Sequence, residues 1–115
     1  MTARRAVASF AALSHPVRLA LFRELCARAP GSVPAGELAE GFDVPPSTMT
    51  GHLQALERAG LIRAERRSRF MLYSLDTTGA RDLVQFLLQD CFDKQAEICD
   101  PDFQSEDPNS LQAVS

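Results

Sequence analysis

Two cysteines near the end of the chain are the residues whose type and spacing most directly suggest chemistry. Cys91 and Cys99 lie eight positions apart in the stretch DCFDKQAEIC. Their thiols could pack in a core, form a disulfide, or capture a species with high affinity for sulfur. On an unbroken helix the two would be separated by about 12 Å along the axis and about 80° around it, too far for one ion to bridge them. If they act together within one chain, the helix must therefore end between them, near residues 93–96.

The surroundings of these two cysteines limit what they can do. Acidic residues at positions 90, 93 and 97 disfavour the thiolate form, which weighs against fast peroxide chemistry. No apolar run approaches the roughly 20 residues of a membrane span, and the first residues lack the apolar segment of a signal peptide. We therefore expect a cytoplasmic protein that binds no membrane and keeps its thiols reduced.

Charge is distributed unevenly along the 115 residues. Residues 1–82 carry eleven arginines against eight acids, a net charge of +3, whereas residues 83–115 carry one lysine against seven acids, a net charge of −6. An arginine-bearing body of this kind can bind a polyanion through one face. With 45% hydrophobic residues, the sequence predicts one compact domain over residues 1–99 and an acidic, mobile tail at 100–115.

The elements that must position these residues are mainly helical. Four helical patterns come first, over residues 2–13, 16–29, 34–42 and 44–60. His15 and Pro16 separate the first two, because the residue before a proline is pushed out of the helical region. A hairpin pattern follows at 61–75, and a last helix at 77–98. The predicted fold class is mainly α with a small β-hairpin, in the order α-α-α-α-β-β-α.

The third and fourth helices form a helix-turn-helix pattern, LAEGFDVPPSTMTGHLQAL, with Gly41 and Asp43 in the turn. The second of these helices opens with the short polar side chains of Ser47, Thr48 and Thr50. Their hydroxyls could contact base edges or phosphates in the major groove of DNA. Serine and threonine at a helix start often only cap the helix, so this feature alone does not establish DNA binding.

The predicted hairpin would form a wing beside that helix. Arg66, Arg67 and Arg69 surround its tip, where they could neutralise phosphates. Three arginines in a turn can equally be a solvated surface. Their occurrence directly after a helix-turn-helix pattern favours DNA binding.

Two stretches resemble the ArsR/SmtB family of winged helix-turn-helix repressors over about residues 5 to 95. The stretch ALSHPVRLALFREL is similar to the family's "LahptRl.iL..L" helix through Leu13, His15, Pro16, Arg18, Leu19 and Leu25. The stretch PPSTMTGHLQALERAGLIRAERRSRFMLYSL is similar to its "S.hl..L..aGLv...r.gr...Y.l" core through Ser47, Thr50, His52, Leu53, Leu56, Gly60, Leu61, Arg66, Tyr73 and Leu75. Gly51 departs from the family pattern, which usually has a larger polar residue there.

The resemblance implies a homodimer whose first and last helices pair across a two-fold axis. It also implies release from a palindromic double-stranded operator when an inducer binds, and it places His52 against the DNA. The alternative for His52 is a packing or capping histidine, and His15 is expected to be structural. We expect no enzymatic activity and no organic cofactor, because no catalytic constellation is visible; the arginine wing argues against a winged fold that has lost DNA binding.

Members of this family sense zinc, cadmium, nickel, arsenite, antimonite or reactive sulfur species. Residues 76–115 lack the histidines of a zinc site, and the third helix lacks the cysteine pair of one type of arsenite site. The resemblance leaves Cys91 and Cys99 as ligands for trivalent arsenic or antimony, which are soft and bind thiolates. Cys26, expected to be a buried small apolar residue, is a possible third ligand. Thiol redox or reactive-sulfur sensing by Cys91 and Cys99, or two inert thiols, stay open as alternatives.

Overall fold

The computed structural model of the protein describes residues 1–92. It divides into a unit at residues 1–83 and a second unit that starts at Val84. The elements in chain order are α1 (Ala3–Leu13), α2 (Pro16–Arg28), β1 (Val33–Pro34), α3 (Ala35–Gly41), α4 (Pro46–Arg58), β2 (Ile62–Arg67), β3 (Phe70–Leu75) and α5 (Thr77–Gln85). A π-helical segment, Phe86–Phe92, follows α5.

This order confirms the predicted winged helix-turn-helix and adds one short strand, β1, that the sequence did not predict. The last helix was expected to continue to residue 98. It is α-helical to Gln85 and π-helical to Phe92. The expected helix end at 93–96, the domain boundary at residue 99 and the acidic tail lie outside the described residues.

The wing is an antiparallel sheet in the order β1-β3-β2. Arg67 pairs with Phe70, so a loop of two residues, Ser68 and Arg69, joins β2 to β3. Ser68 has φ 60°, the positive value that a two-residue hairpin loop needs if it is to match the twist of its strands. The tight loop therefore holds the tip arginines at the end of a rigid ribbon.

Local signals set the helix ends where the sequence predicted them. The ring of His15 accepts a hydrogen bond from the backbone N–H of Val17 at 3.2 Å, which caps α2 directly before Pro16. This confirms the structural role expected for His15. After α4, Gly60 adopts φ 81°, a left-handed conformation that costs glycine little, and turns the chain into β2.

A single apolar core fills the first unit, and α4 contributes a complete stripe to it. Met49, His52, Leu53 and Leu56 are the buried residues of α4, at the i, i+3, i+4, i+7 spacing of one helix face. The other fully buried large side chains of this core are Leu21, Leu25, Val33, Leu61 and Ile62. Burial of this stripe leaves the opposite face of α4 available to solvent.

Two close backbone approaches complete the packing of this unit. The Ser9 hydroxyl of α1 donates to the carbonyl oxygen of Ala59 at 3.5 Å, and α1 buries its small residues, Ala6, Ser9 and Ala12, against the core. At the start of α5, Gly79 lies so close to Gly60 that a Cβ there would overlap the Gly60 carbonyl oxygen. Only glycine fits at the second of these contacts, because it has no Cβ.

Candidate nucleic-acid interface

The exposed face of α4 carries the polar residues predicted to read DNA. Ser47, Thr48 and Thr50 are all exposed. The helix begins at Pro46 without any side-chain capping bond, so the hydroxyls of Ser47 and Thr48 are not used as caps. The Thr50 hydroxyl donates to the carbonyl oxygen of Pro46 at 3.0 Å and keeps its lone pairs for another donor. Three of the four helix residues proposed from the sequence are therefore accessible, and Ser47 and Thr50 lie on the same face of α4.

Gln54 lies on the same surface and was missed by the sequence reasoning. It is exposed and stands seven positions after Ser47 and four after Thr50, the spacing of neighbours on one helix face. A glutamine amide can donate and accept together, which suits the N6 and N7 atoms of adenine. Gly51 lies between these residues, and a Cβ added there would touch no other atom. It therefore leaves open space on this surface. The helical spacing was the signal that could have identified Gln54.

Arg28 forms one ion pair within α2 and a second that joins α2 to α3. The Arg28 guanidinium donates to Glu24 at 2.9 Å and to Glu37 of α3 at 3.2 Å. These two hydrogen bonds raise the pKa of Arg28 above its ordinary value. Both pairs are exposed, so we attribute to them orientation of α3 more than stability.

The three wing arginines are all exposed, but they are not equivalent. Arg67 donates from Nε to Glu65 on the same strand at 3.2 Å. Within the described part of the chain, no carboxylate lies within ion-pair distance of Arg66 or Arg69. Arg66 and Arg69 therefore present full positive charge at the wing tip, whereas Glu65 partly neutralises Arg67.

His52 lies on the side of α4 opposite Ser47, Thr50 and Gln54. Its side chain is only 9% exposed, and its Nδ1 accepts a hydrogen bond from Nε of Arg18 in α2 at 3.1 Å. Its ring centre lies 4.6 Å from that of His15. Desolvation lowers the pKa of His52, and the charges of His15 and Arg18 lower it further. The sequence placed His52 against DNA, but the fold turns it inward because positions 49, 52, 53 and 56 share the core stripe.

Comparison with known proteins gives the same architecture. A family model for a helix-turn-helix domain matches residues 13–65. The fold is similar to that of an ArsR-like transcriptional regulator from Rhodococcus sp. RHA1, with a TM-score of 0.70, 22% identity, and coverage of 83% of this chain and 87% of that one. It is also similar to a homodimeric winged helix-turn-helix DNA-binding domain from Mycobacterium bovis, a possible ArsR-family regulator, with a TM-score of 0.61, 25% identity, and coverage of 79% and 81%.

A curated relative decides the family. The transcriptional repressor SdpR of Bacillus subtilis (strain 168) is 33% identical over 79 residues, which span 69% of this chain and 84% of SdpR. The chain belongs to the ArsR family of winged helix-turn-helix transcriptional regulators. In this fold α4 is the second helix of the helix-turn-helix, and the β2–β3 hairpin is the wing.

The thiols of this ArsR-family regulator occupy different environments. Cys26 is exposed, so the prediction that it is a buried apolar residue is wrong; it stands beside Leu25 of the core but faces outward on α2. Partial burial of its sulfur still raises the pKa of the Cys26 thiol above its ordinary value. Cys91 is a free, half-buried thiol in the π-helical segment of the second unit. Cys99 lies outside the described residues.

Two further observations concern ions and membranes. Among residues 1–92, no three His, Cys, Asp or Glu side chains are grouped closely enough to hold a metal ion. No helix in this part of the ArsR-family chain has the length and apolar character needed to cross a membrane.

Proposed function

We propose that this ArsR-family transcriptional repressor acts as a homodimer on a palindromic operator and leaves it when trivalent arsenic or antimony binds Cys91 and Cys99. The accessible polar face of α4, together with the exposed and unpaired arginines of the wing, is the observation that carries the DNA-binding part of this proposal. The inducer part rests on the chemistry of the two thiols and on their place near the end of the chain.

Recognition of the operator divides between the two elements of the interface. Ser47, Thr50 and Gln54 are short or flexible polar groups on one helix face, and they supply contacts to base edges in the major groove. Arg66 and Arg69 supply phosphate contacts, which contribute affinity without reading sequence. The net charge of −3 does not oppose this role, because the positive charge is concentrated in residues 1–82.

Exposed apolar side chains support the homodimer. On α1, Val7 is 65% and Phe10 42% exposed, because the small residues of this helix face the core instead. In the second unit, Val84, Leu87 and Leu88 are exposed as well. Large apolar side chains exposed in this way, in each unit by itself, are suited to being covered by a partner. A second copy would place two reading helices on half-sites about one turn of DNA apart.

When the inducer binds, cysteine sulfurs replace oxygen ligands of the arsenic atom. Arsenous acid, As(OH)₃, can exchange two hydroxyl groups for the Cys91 and Cys99 sulfurs and release two water molecules. A third sulfur, from Cys26 or from the partner subunit, would displace the remaining hydroxyl. Serine cannot replace these ligands, because its oxygen is hard and stays protonated at neutral pH.

Fluorescence anisotropy with reduced protein tests both parts. A duplex from the region upstream of its own coding sequence should bind more tightly than a scrambled duplex of equal length. Added arsenite, methylarsenite or antimonite should release the specific duplex, whereas zinc should not. Failure to prefer the upstream duplex would contradict the operator assignment, and binding that persists in all three reagents would contradict the inducer assignment.

Thiol redox or reactive-sulfur sensing is the second candidate, because two thiols within ten residues can also be joined by an oxidant. A polysulfide would insert sulfur between the Cys91 and Cys99 sulfurs and release the remainder as sulfide, which takes the two electrons and the thiol protons. A peroxide would instead accept the two electrons of disulfide formation. Release under polysulfide or peroxide but not under arsenite would favour this candidate. The two inducer classes are thus separated in a single titration series.

A further inference from the structure

A small polar cluster joins α4 to the start of α2 on the side that faces away from DNA. His52 stands in the middle of the buried stripe of α4, between apolar residues that are 0–1% exposed. Its Nδ1 accepts the 3.1 Å hydrogen bond from Arg18, and the His15 ring is tilted against it at 51°. His15 in turn caps α2 through the N–H of Val17. The cluster thus ties the rotation of α4 about its axis to the first turn of α2.

The hydrogen bond from Arg18 fixes the protonation state of the His52 ring. The guanidinium of Arg18 can only donate, so Nδ1 of His52 must present a lone pair and the ring hydrogen must sit on Nε2. A second proton on His52 would remove this acceptor and place a cation against Arg18. Among residues 1–92 the charged groups that act on the ring are His15 and Arg18, both cationic when charged; α1, α3 and β2, which also pack on α4, add none. The low pKa of His52 agrees with this arrangement.

We propose that His52 is a positioning residue for operator recognition: by accepting the hydrogen bond from Arg18, its neutral ring holds α4 at the rotation that aims Ser47, Thr50 and Gln54 into the major groove. This inference rests on the proposed DNA-reading role of α4. A rotation of α4 would move all three side chains together, since they share one face of a single helix. Base contacts tolerate little such movement, because hydrogen bonds weaken steeply with distance and angle.

The direction of the pH dependence separates this role from direct contact with DNA. A positioning His52 must stay neutral, so operator affinity is complete at and above the ordinary histidine pKa of about 6.5 and is lost as the pH falls through the lower pKa that His52 has in the free protein. A His52 that touched a phosphate would instead be charged in the complex, and acidification would strengthen binding. The expected loss of operator affinity is up to about tenfold for each unit by which the pKa of His52 in the free protein exceeds its pKa in the complex.

The experiment uses the fact that the chain contains two histidines. In His15→Asn the amide oxygen still caps α2, and His52 becomes the sole histidine, so its proton resonance reports its pKa by NMR with and without operator duplex. We expect specific affinity in His15→Asn to fall several-fold as the pH drops from about 7.5 through the His52 pKa measured in the free variant, at about 0.2 M salt, which screens distant phosphates. Rising affinity at low pH, together with a higher pKa in the complex, would overturn the inference.

Two substitutions at His52 provide an independent readout. His52→Asn keeps an acceptor near the place of Nδ1 and should recover most of the affinity at pH 7.5 while losing the pH dependence. His52→Leu keeps the apolar volume but offers no acceptor, and should lose about tenfold or more in specific affinity, with Arg18→Met giving a similar loss. Equal binding by all three would overturn the positioning role. If the unmodified protein prefers no duplex at any pH, the operator assignment itself fails, an outcome that these variants distinguish from failure of His52 alone.

Discussion

The Thr50 hydroxyl is 3.0 Å from the carbonyl oxygen of Pro46, to which it donates its only hydrogen. This bond, between residues four positions apart on α4, leaves the oxygen of Thr50 as an acceptor. In the major groove it can therefore accept from the amino group of cytosine or adenine but cannot donate to a guanine oxygen.

Removal of that acceptor should reduce specificity. We expect Thr50→Val, which keeps the shape of the side chain, to lose about fivefold in affinity for the operator and little for random DNA. Thr50→Ser should retain most of the specific affinity. Anisotropy titrations against both duplexes provide the measurement, and parallel losses on the two duplexes would assign Thr50 a positioning role.

Gln54 should contribute more than Thr50, because its amide can make two hydrogen bonds to one base. Gln54→Ala should cost about 1–3 kcal/mol of specific binding and relax the preference at one operator position. Gln54→Glu should bind worse than Gln54→Ala, since a carboxylate repels nearby phosphates. A base-by-base substitution series in the operator would identify the contacted position. No change in preference at any position would exclude Gln54 from base reading.

The wing arginines should differ in their effect on the salt dependence of binding. Arg66→Ala or Arg69→Ala should reduce the slope of log affinity against log salt by about one unit, and equally for all duplexes. Arg67→Ala should have a smaller effect, because Glu65 already pairs with this side chain. Glu65→Gln is the matched control and should strengthen binding by freeing Arg67. Unchanged slopes in both Arg66→Ala and Arg69→Ala would place the wing outside the interface.

The contact between Gly79 and Gly60 should make Gly79 intolerant of any side chain. Gly79→Ala should lower the free energy of unfolding by about 2–3 kcal/mol, since the backbone must move to admit the methyl group. Gly36→Ala, on α3, meets no other atom and should be neutral or stabilising by up to about 1 kcal/mol. Urea denaturation of both variants would test this, and equal stabilities would show that α5 can shift without cost.

The thiol hypothesis predicts a repressor that binds but cannot be released. Cys91→Ser and Cys99→Ser should each bind the operator normally and stay bound in arsenite, whereas Cys26→Ser should remain inducible unless its sulfur completes the site. A coupling of about 3 kcal/mol would change operator affinity by roughly 150-fold, well within the range of anisotropy. Normal release of reduced Cys91→Ser by arsenite and methylarsenite would refute this assignment.

The sequence alone determined the elements whose signals are local. Pro16 after His15, Gly60 after α4 and the alternating pattern about a basic turn each act within a few residues, so they predicted helix ends and the hairpin correctly. The exposed polar first turn of α4 could also be predicted locally. A buried stripe at helical spacing fixes which face of the helix remains exposed.

Tertiary structure decided what depends on partners distant in the chain. β1 is a strand only because Val33 and Pro34 meet Tyr73 and Leu72, a pairing that two residues cannot signal. α1 buries its small residues because the chain approaches closely at Ala59, and so its larger apolar side chains are left exposed. His52 lies on the buried stripe of α4, and an imidazole is tolerated there because Arg18, thirty-four positions earlier, supplies a hydrogen-bond donor. In each case the deciding contact spans many residues of sequence, and no local pattern records it.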